Sequence, residues 1–138
     1  MPARGNGEDH VDSARKPVVW MGRSRDDLRQ FPKDVRVVMA YALLEAQDGK
    51  KHPDAKPLRG FDGAGVVEIV DDYDGDTYRG VYTVRFSEAV YVLHLFQKKS
   101  PHGIATPKRE IDTIKRRFAE AQAKHEQWAR ERAKGQQP

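Results

Sequence analysis

A chain of 138 residues, 38% hydrophobic and 33% charged, is long enough for one domain with a modest core, and a mean hydropathy of −0.83 confines its apolar residues to a few elements. No run approaches the roughly 18 apolar residues of a membrane span, and the absence of cysteine excludes disulfides, thiolate metal sites and a thiol nucleophile. The net charge of +4 is unevenly spread: Val66–Glu88 carries two basic against six acidic residues, while His94–Pro138 carries eleven against five.

The first 15 residues, MPARGNGEDHVDSAR, are polar and lack the apolar core of a secretory signal, so they read as a disordered extension of a cytoplasmic protein. Pro17–Met21 (PVVWM) predicts a short strand. Ser24 with Asp27 three residues on resembles a capping box opening a short helix through Leu28 and Phe31. Pro32 starts a second helix, in which Val35, Val38, Met39, Ala42 and Ala46 recur at the spacing of one buried face, with Asp48-Gly49 as its stop. Lys50–Gly65, with its glycines and prolines, is expected to be a loop carrying Lys56 and Arg59.

Three strands are predicted at Val66–Val70, Thr77–Phe86 and Ala89–Lys98, joined by turns at Asp74-Gly75 and Ser87-Glu88, as an antiparallel meander. Two-residue turns would set Glu68 opposite Val81, and Arg79 opposite both Val70 and Phe96. One face then holds Val67, Ile69, Tyr82, Val84, Phe86, Tyr91, Leu93 and Leu95 and is expected to be the core. The other carries Glu68, Val70, Arg79, Val81, Thr83, Arg85, Val90, Val92, His94, Phe96 and Lys98, either as a binding surface or as an exposed face that the last helix partly covers. Gln97–Gly103 (QKKSPHG) forms a basic loop. Thr106-Pro107 supplies an N-cap hydroxyl and a proline at the first helical position. Ile111, Ile114, Phe118, Ala121, His125 and Trp128 then form an amphipathic seam, with fraying expected from about Ala133.

Cations held on a sheet beside a loop of Gly and Pro suit a phosphate ligand, because the sheet fixes their positions and the loop admits a close backbone. Nucleic acid is the expected partner class. His10, His52 and His125 have no ligand-like spacing, so no metal is expected, and no cofactor.

Four segments, KPLRGF (Lys56–Phe61), GDTYRGVYTVRF (Gly75–Phe86), VYVLHLFQKKS (Val90–Ser100) and TPKREID (Thr106–Asp112), together with the order strand, two helices, three strands, helix, resemble the RelE/ParE superfamily of bacterial toxins, most closely its phage-derived HigB-like branch. The resemblance spans about residues 16–123 and implies an α+β, RelE-like fold, with a small antiparallel or mixed sheet, an N-terminal helical hairpin and a C-terminal helix packed on the sheet. It implies a toxin domain over residues 16–124, followed by a helix end and tail over 125–138. It also implies a type II toxin that cuts mRNA in the 70S ribosome A site and is neutralised by a helix-turn-helix antitoxin.

A metal-free ribonuclease directs the ribose 2′-OH at the adjacent phosphate, and needs a proton acceptor, a cation for the charge on phosphorus and a donor for the leaving oxygen. By the resemblance, Arg79 would stabilise the phosphorane and Lys98 and Lys99 would bind phosphate, one of them as the base. Lys56 and Arg59 would hold the RNA backbone, with Arg85 on the same face, and Phe96 would stack on a base. Glu68 is either a base or an ion-pair partner of Arg79. His94 is either catalytic or a structural strand histidine, and His102 either a proton donor or an ordinary loop histidine. A non-catalytic, ParE-like gyrase inhibitor and an inactive toxin-derived binding protein are the alternatives.

Overall fold

A computed structural model describes residues 15–98 and 106–135. They form β1 (Val18–Trp20), α1 (Ser24–Arg29), α2 (Lys33–Gln47), β2 (Lys56–Pro57), β3 (Val66–Tyr73), β4 (Asp76–Thr83), β5 (Val90–Lys98) and α3 (Lys108–Gly135). The chain divides into two compact units, residues 1–102 and 103–138. The fold class is α+β, as expected. The expected disordered extension lies outside the described residues, apart from Arg15 at its end.

The first unit is a five-stranded mixed sheet of order β1-β5-β4-β3-β2, with β1 parallel to β5 and the other pairs antiparallel. The expected turn at Asp74-Gly75 is present. Both residues have positive φ, 52° and 85°, which is the backbone that lets a two-residue loop follow strand twist. The segment expected to be all loop, Lys50–Gly65, contributes the short edge strand β2, paired with β3 at Lys56↔Glu68.

Along β3 and the first half of β4 the register is the expected one: Glu68 faces Val81, Val70 faces Arg79, and Arg79 faces Phe96. A β-bulge then breaks the β4–β5 ladder. Val81 pairs with His94, but Tyr82 pairs with Val92, so β5 holds one extra residue, Leu93. The insertion corrects the expected faces beyond that point. Val90 and Val92 belong to the helix-side core with Val67, Ile69, Tyr82 and Leu95. Tyr91, expected there, packs edge-to-face on Phe86 at 5.2 Å, and neither residue belongs to that cluster. Leu93 is fully buried, but it too lies outside the helix-side cluster.

β4 also ends at Thr83, three residues before the expected Phe86. Val84 N–H donates to the Gly65 carbonyl at 2.8 Å, one step further along the β3–β4 register. Gly65, at φ 74°, passes so close that a Cβ there would stand 2.4 Å from the Arg85 Cβ, so this crossing requires glycine. The connection to β5 is therefore a six-residue loop rather than a tight turn at Ser87-Glu88.

Helices α1 and α2 cover the Ile69/Tyr82 face. α2 buries Val35, Met39, Ala42, Leu43 and Ala46, and its stop at Asp48-Gly49 is confirmed by Gly49 at φ 79°. Ser24 is not the expected capping residue. It is fully buried, and its hydroxyl donates to the Val92 carbonyl at 3.3 Å, the same carbonyl that accepts from Met21 N–H at 2.9 Å. In this way α1 is tied to the strand beside the bulge.

In the second unit, the Pro107 carbonyl accepts from the N–H groups of Glu110 and Ile111, each at 3.0 Å, so α3 opens one residue later than Pro107. Its buried residues, Ile114, Phe118, Ala121 and His125, follow the predicted seam, whereas Trp128 is exposed and stacks near His125 and Arg132. The helix continues to Gly135, past the expected onset of fraying at Ala133.

Candidate functional site

Period-two alternation places three cross-strand rows on the face of the sheet opposite α1 and α2. The first runs Lys56, Glu68, Val81, His94; the second Val70, Arg79, Phe96; the third Asp72, Thr77, Lys98. Neighbouring strands lie about 4.8 Å apart and successive same-face residues roughly 6.8 Å apart. Seven expected site residues thus fall into two groups. Lys56, Glu68, Arg79, His94, Phe96 and Lys98 share one surface of about 15 Å by 15 Å, and Arg85 does not.

Arg85 lies beyond the end of β4, exposed, with its guanidinium 5.4 Å from the Phe86 ring centre. Six residues from Arg79, it stands roughly 20 Å away along the strand direction. Arg59 is exposed in the loop just after β2, three residues from Lys56. Lys99 and His102, with most of the basic loop, lie outside the described residues.

The centre of the surface is an ion pair. Arg79 Nη1 donates to Glu68 Oε2 at 3.3 Å, and the two side chains are only 6% and 18% exposed. Of the two readings of Glu68, the ion-pair partner is the one realised in this geometry, which leaves its use as a base open. Such a pair is costly to break from one side, because the remaining charge stays desolvated, at about 3–5 kcal/mol. One row away, Thr77 Oγ1 donates to Asp72 Oδ1 at 3.1 Å beside Lys98. His94 is buried and stacks on Phe96, with ring centres 4.9 Å apart and planes 25° from parallel. That packing is what a structural strand histidine makes. It also holds the Phe96 ring in place next to Arg79.

Among the described residues, burial raises the pKa of Asp71, Tyr78, Tyr82 and Tyr91, which lie outside these rows. Burial pushes the Tyr82 phenol up to about 12 in the helix-side core. Burial, with Asp72 and Asp34 adding repulsion, raises Asp71.

Three residues of the face were missed by the sequence reading. Asp72 and Thr77 belong to the third row, and continuing the alternation Glu68, Val70 by one more step would have found Asp72. Asp54 precedes the edge strand β2. With Lys56, Glu68 and Val70 it lines a cleft at the sheet edge, and no periodicity marks it because it lies outside any strand. Among the described residues no three His, Cys, Asp or Glu side chains group as metal ligands, and no helix is long and apolar enough to cross a membrane.

An α+β sheet with a charged, register-locked face defines the class of protein. A family model described as phage-derived protein Gp49-like (DUF891) matches residues 26–119, and the chain belongs to that family, the phage-derived kind that its motifs resemble. No curated protein matches the chain. Among solved structures it is similar to the E. coli toxin RelE, in a double arginine-to-alanine mutant in the free state. The identity is 21% and the TM-score 0.44, over 59% of this chain and 81% of that one.

Proposed function

We propose that this protein is the toxin of a type II toxin–antitoxin system and acts as a metal-independent, ribosome-dependent mRNA endoribonuclease in the cytoplasm. The observation that carries the reading is the second row: Arg79, held by Glu68, stands between the exposed Val70 and the stacked Phe96, one row from Lys98. A guanidinium fixed between an apolar platform and an aromatic ring suits a nucleotide, whose phosphate needs the charge and whose base needs a surface.

In this mechanism Arg79 exchanges protein acceptors for phosphate oxygens and stabilises the charge that grows on phosphorus. Lys98 adds a second cation from the next row, and Lys99 is assigned with it to phosphate. A base removes the 2′-OH proton as the oxygen attacks the adjacent phosphorus, the P–O5′ bond breaks, and the leaving oxygen takes a proton, giving a 2′,3′-cyclic phosphate and a 5′-hydroxyl. Glu68, once Arg79 engages phosphate, is the nearest carboxylate for the first transfer. His94 or His102 is assigned to the second. Lys56 and Arg59 hold the RNA along the β2 edge. The proposed partners are mRNA in the ribosomal A site and a helix-turn-helix antitoxin that silences the site by neutralising its cations.

The burial and pairing of Arg79 favour one alternative, an inactive toxin-derived binding protein in which the ion pair is purely structural. Inducing the protein alone and mapping a defined message by primer extension separates the readings. Cuts within codons that vanish when ribosomes are kept off the message are expected. Growth arrest with intact RNA and double-strand DNA breaks would instead indicate a gyrase inhibitor, and no arrest would indicate the inactive form.

A further inference from the structure

The cleft at the sheet edge has a volume of about 250 Å³ and is lined by Asp54, Lys56, Glu68 and Val70. That is below the roughly 300 Å³ at which pockets for drug-sized ligands begin, and on the scale of a single nucleobase. Three of its features differ from an ordinary charged sheet edge. Among the described residues, neither the Asp54 carboxylate nor the Lys56 ammonium makes a hydrogen bond or ion pair, although both line one small cleft. Val70 leaves 40% of its surface exposed there, a flat apolar wall between charged neighbours. The Asp54 backbone is held, because its N–H donates to His52 Nδ1 at 3.1 Å, and the intervening Ala55 is 3% exposed. Asp54 lies in the turn that leads into β2, closed by the Ala55 N–H donating to the His52 carbonyl at 2.9 Å, and with Ala55 buried both Asp54 and Lys56 are exposed at the cleft.

We infer that this cleft is a base-recognition subsite that takes guanine from single-stranded RNA. The inference rests on the ribonuclease reading and names its specificity. Guanine alone among the RNA bases presents two adjacent donors, N1–H and the N2 amino group, and a carboxylate accepts such a pair in a two-point contact. On the same base, O6 and N7 are acceptors, and Lys56 is the donor that meets them. Adenine and cytosine offer the carboxylate only one amino group without a neighbouring ring N–H, and uracil offers a lone ring N–H flanked by carbonyls that repel it. Val70 supplies the wall on which the face of the ring rests, and Glu68, tied to Arg79, closes the inner end.

The placement fits a nucleotide. Lys56 is directly opposite Glu68, and Arg79 stands on the next strand, so the cleft lies roughly 5–10 Å from the phosphate-binding guanidinium. That is the separation between a base and its own phosphate. A one-sided charge pattern would bind backbone without choosing a base. An acceptor and a donor set side by side choose one.

The test has two parts. First, cut sites of the wild-type chain and of Asp54→Ala and Lys56→Met variants are mapped on messages with all four bases at each codon position. Wild-type cuts enriched at guanine, with the guanine preference falling on the order of tenfold or more in Asp54→Ala, are expected. Cuts with no guanine enrichment, or an enrichment unchanged in Asp54→Ala, would overturn the subsite while leaving the nuclease intact. Second, isotopically labelled full-length protein is titrated with guanosine 3′-monophosphate and, separately, cytidine 3′-monophosphate. Amide shifts at Lys56 and Val70 specific to the guanosine compound and lost in Asp54→Ala are expected. Equal responses to both nucleotides, or none, would overturn the subsite, and this holds even if the wild-type chain cuts nothing and the nuclease reading falls.

Discussion

The two faces of the central sheet are built from the same three strands in opposite ways. The face under α1 and α2 is apolar, holding Val67, Ile69, Tyr82, Val92 and Leu95, with every side chain filling space against a helix. The opposite face is a lattice of charges and rings, in which Glu68 holds Arg79 and His94 holds Phe96. On the first face position is set by packing, which tolerates similar shapes; on the second it is set by pairing, which does not. A protein that must offer a fixed cation to a ligand gains from that division, since the apolar face carries the stability that desolvated charges cannot supply.

The largest effect should come from cutting into the packed face. Leu95 is 3% exposed, and Leu95→Ala should lower unfolding free energy by about 2–5 kcal/mol, read from a urea denaturation midpoint. A loss under about 1 kcal/mol would mean that the helix-side packing is loose and that the contrast between the faces is overstated.

The paired face should respond in activity instead. Replacing the ion pair as a whole, Arg79→Met with Glu68→Met, removes both desolvated charges and should leave stability within about 2 kcal/mol of the wild type. Cleavage, or growth arrest at equal expression, should fall about a hundredfold, the usual consequence of losing a cation that stabilises a transition state. A fully toxic double variant would show that the pair is only structural.

Tyr82 gives the smallest effect and tests the packed face for a hidden polar cost. Its hydroxyl is buried with no hydrogen-bond partner, and its pKa is raised from 10.0 to about 12. Burial favours the neutral phenol, so its contribution is fully present below pH 10 and is lost as pH rises through about 12. Tyr82→Phe should be neutral or stabilising by up to about 1 kcal/mol near neutral pH. The variant should also lose less stability than wild type between pH 10 and 12, as measured by thermal melting.

Much of this architecture could be read before any coordinates. Asp74-Gly75 announced the β3–β4 hairpin because few other dipeptides accept positive φ at both positions, and that turn set the register placing Arg79 opposite Val70. The α2 face from Val35 to Ala46 was equally legible, since the helical repeat forces one side inward. The same reasoning failed beyond Val81, where an assumed tight turn carried the alternation one residue out of step.

The sequence by itself determined the order of the longer elements, the β3–β4 register and the Glu68, Arg79 and Phe96 positions of the paired face, because those follow from local backbone preference and period-two alternation. Only the tertiary structure decided the bulge at Leu93, the early end of β4 and the cleft beside Asp54. Each depends on contacts between segments distant along the chain: Gly65 crossing Arg85, Ser24 bonding the Val92 carbonyl and Lys56 joining the edge of β3. The cost of leaving a backbone group unpaired or a side chain overlapping is set by whichever segment arrives from elsewhere, and no local pattern carries that information.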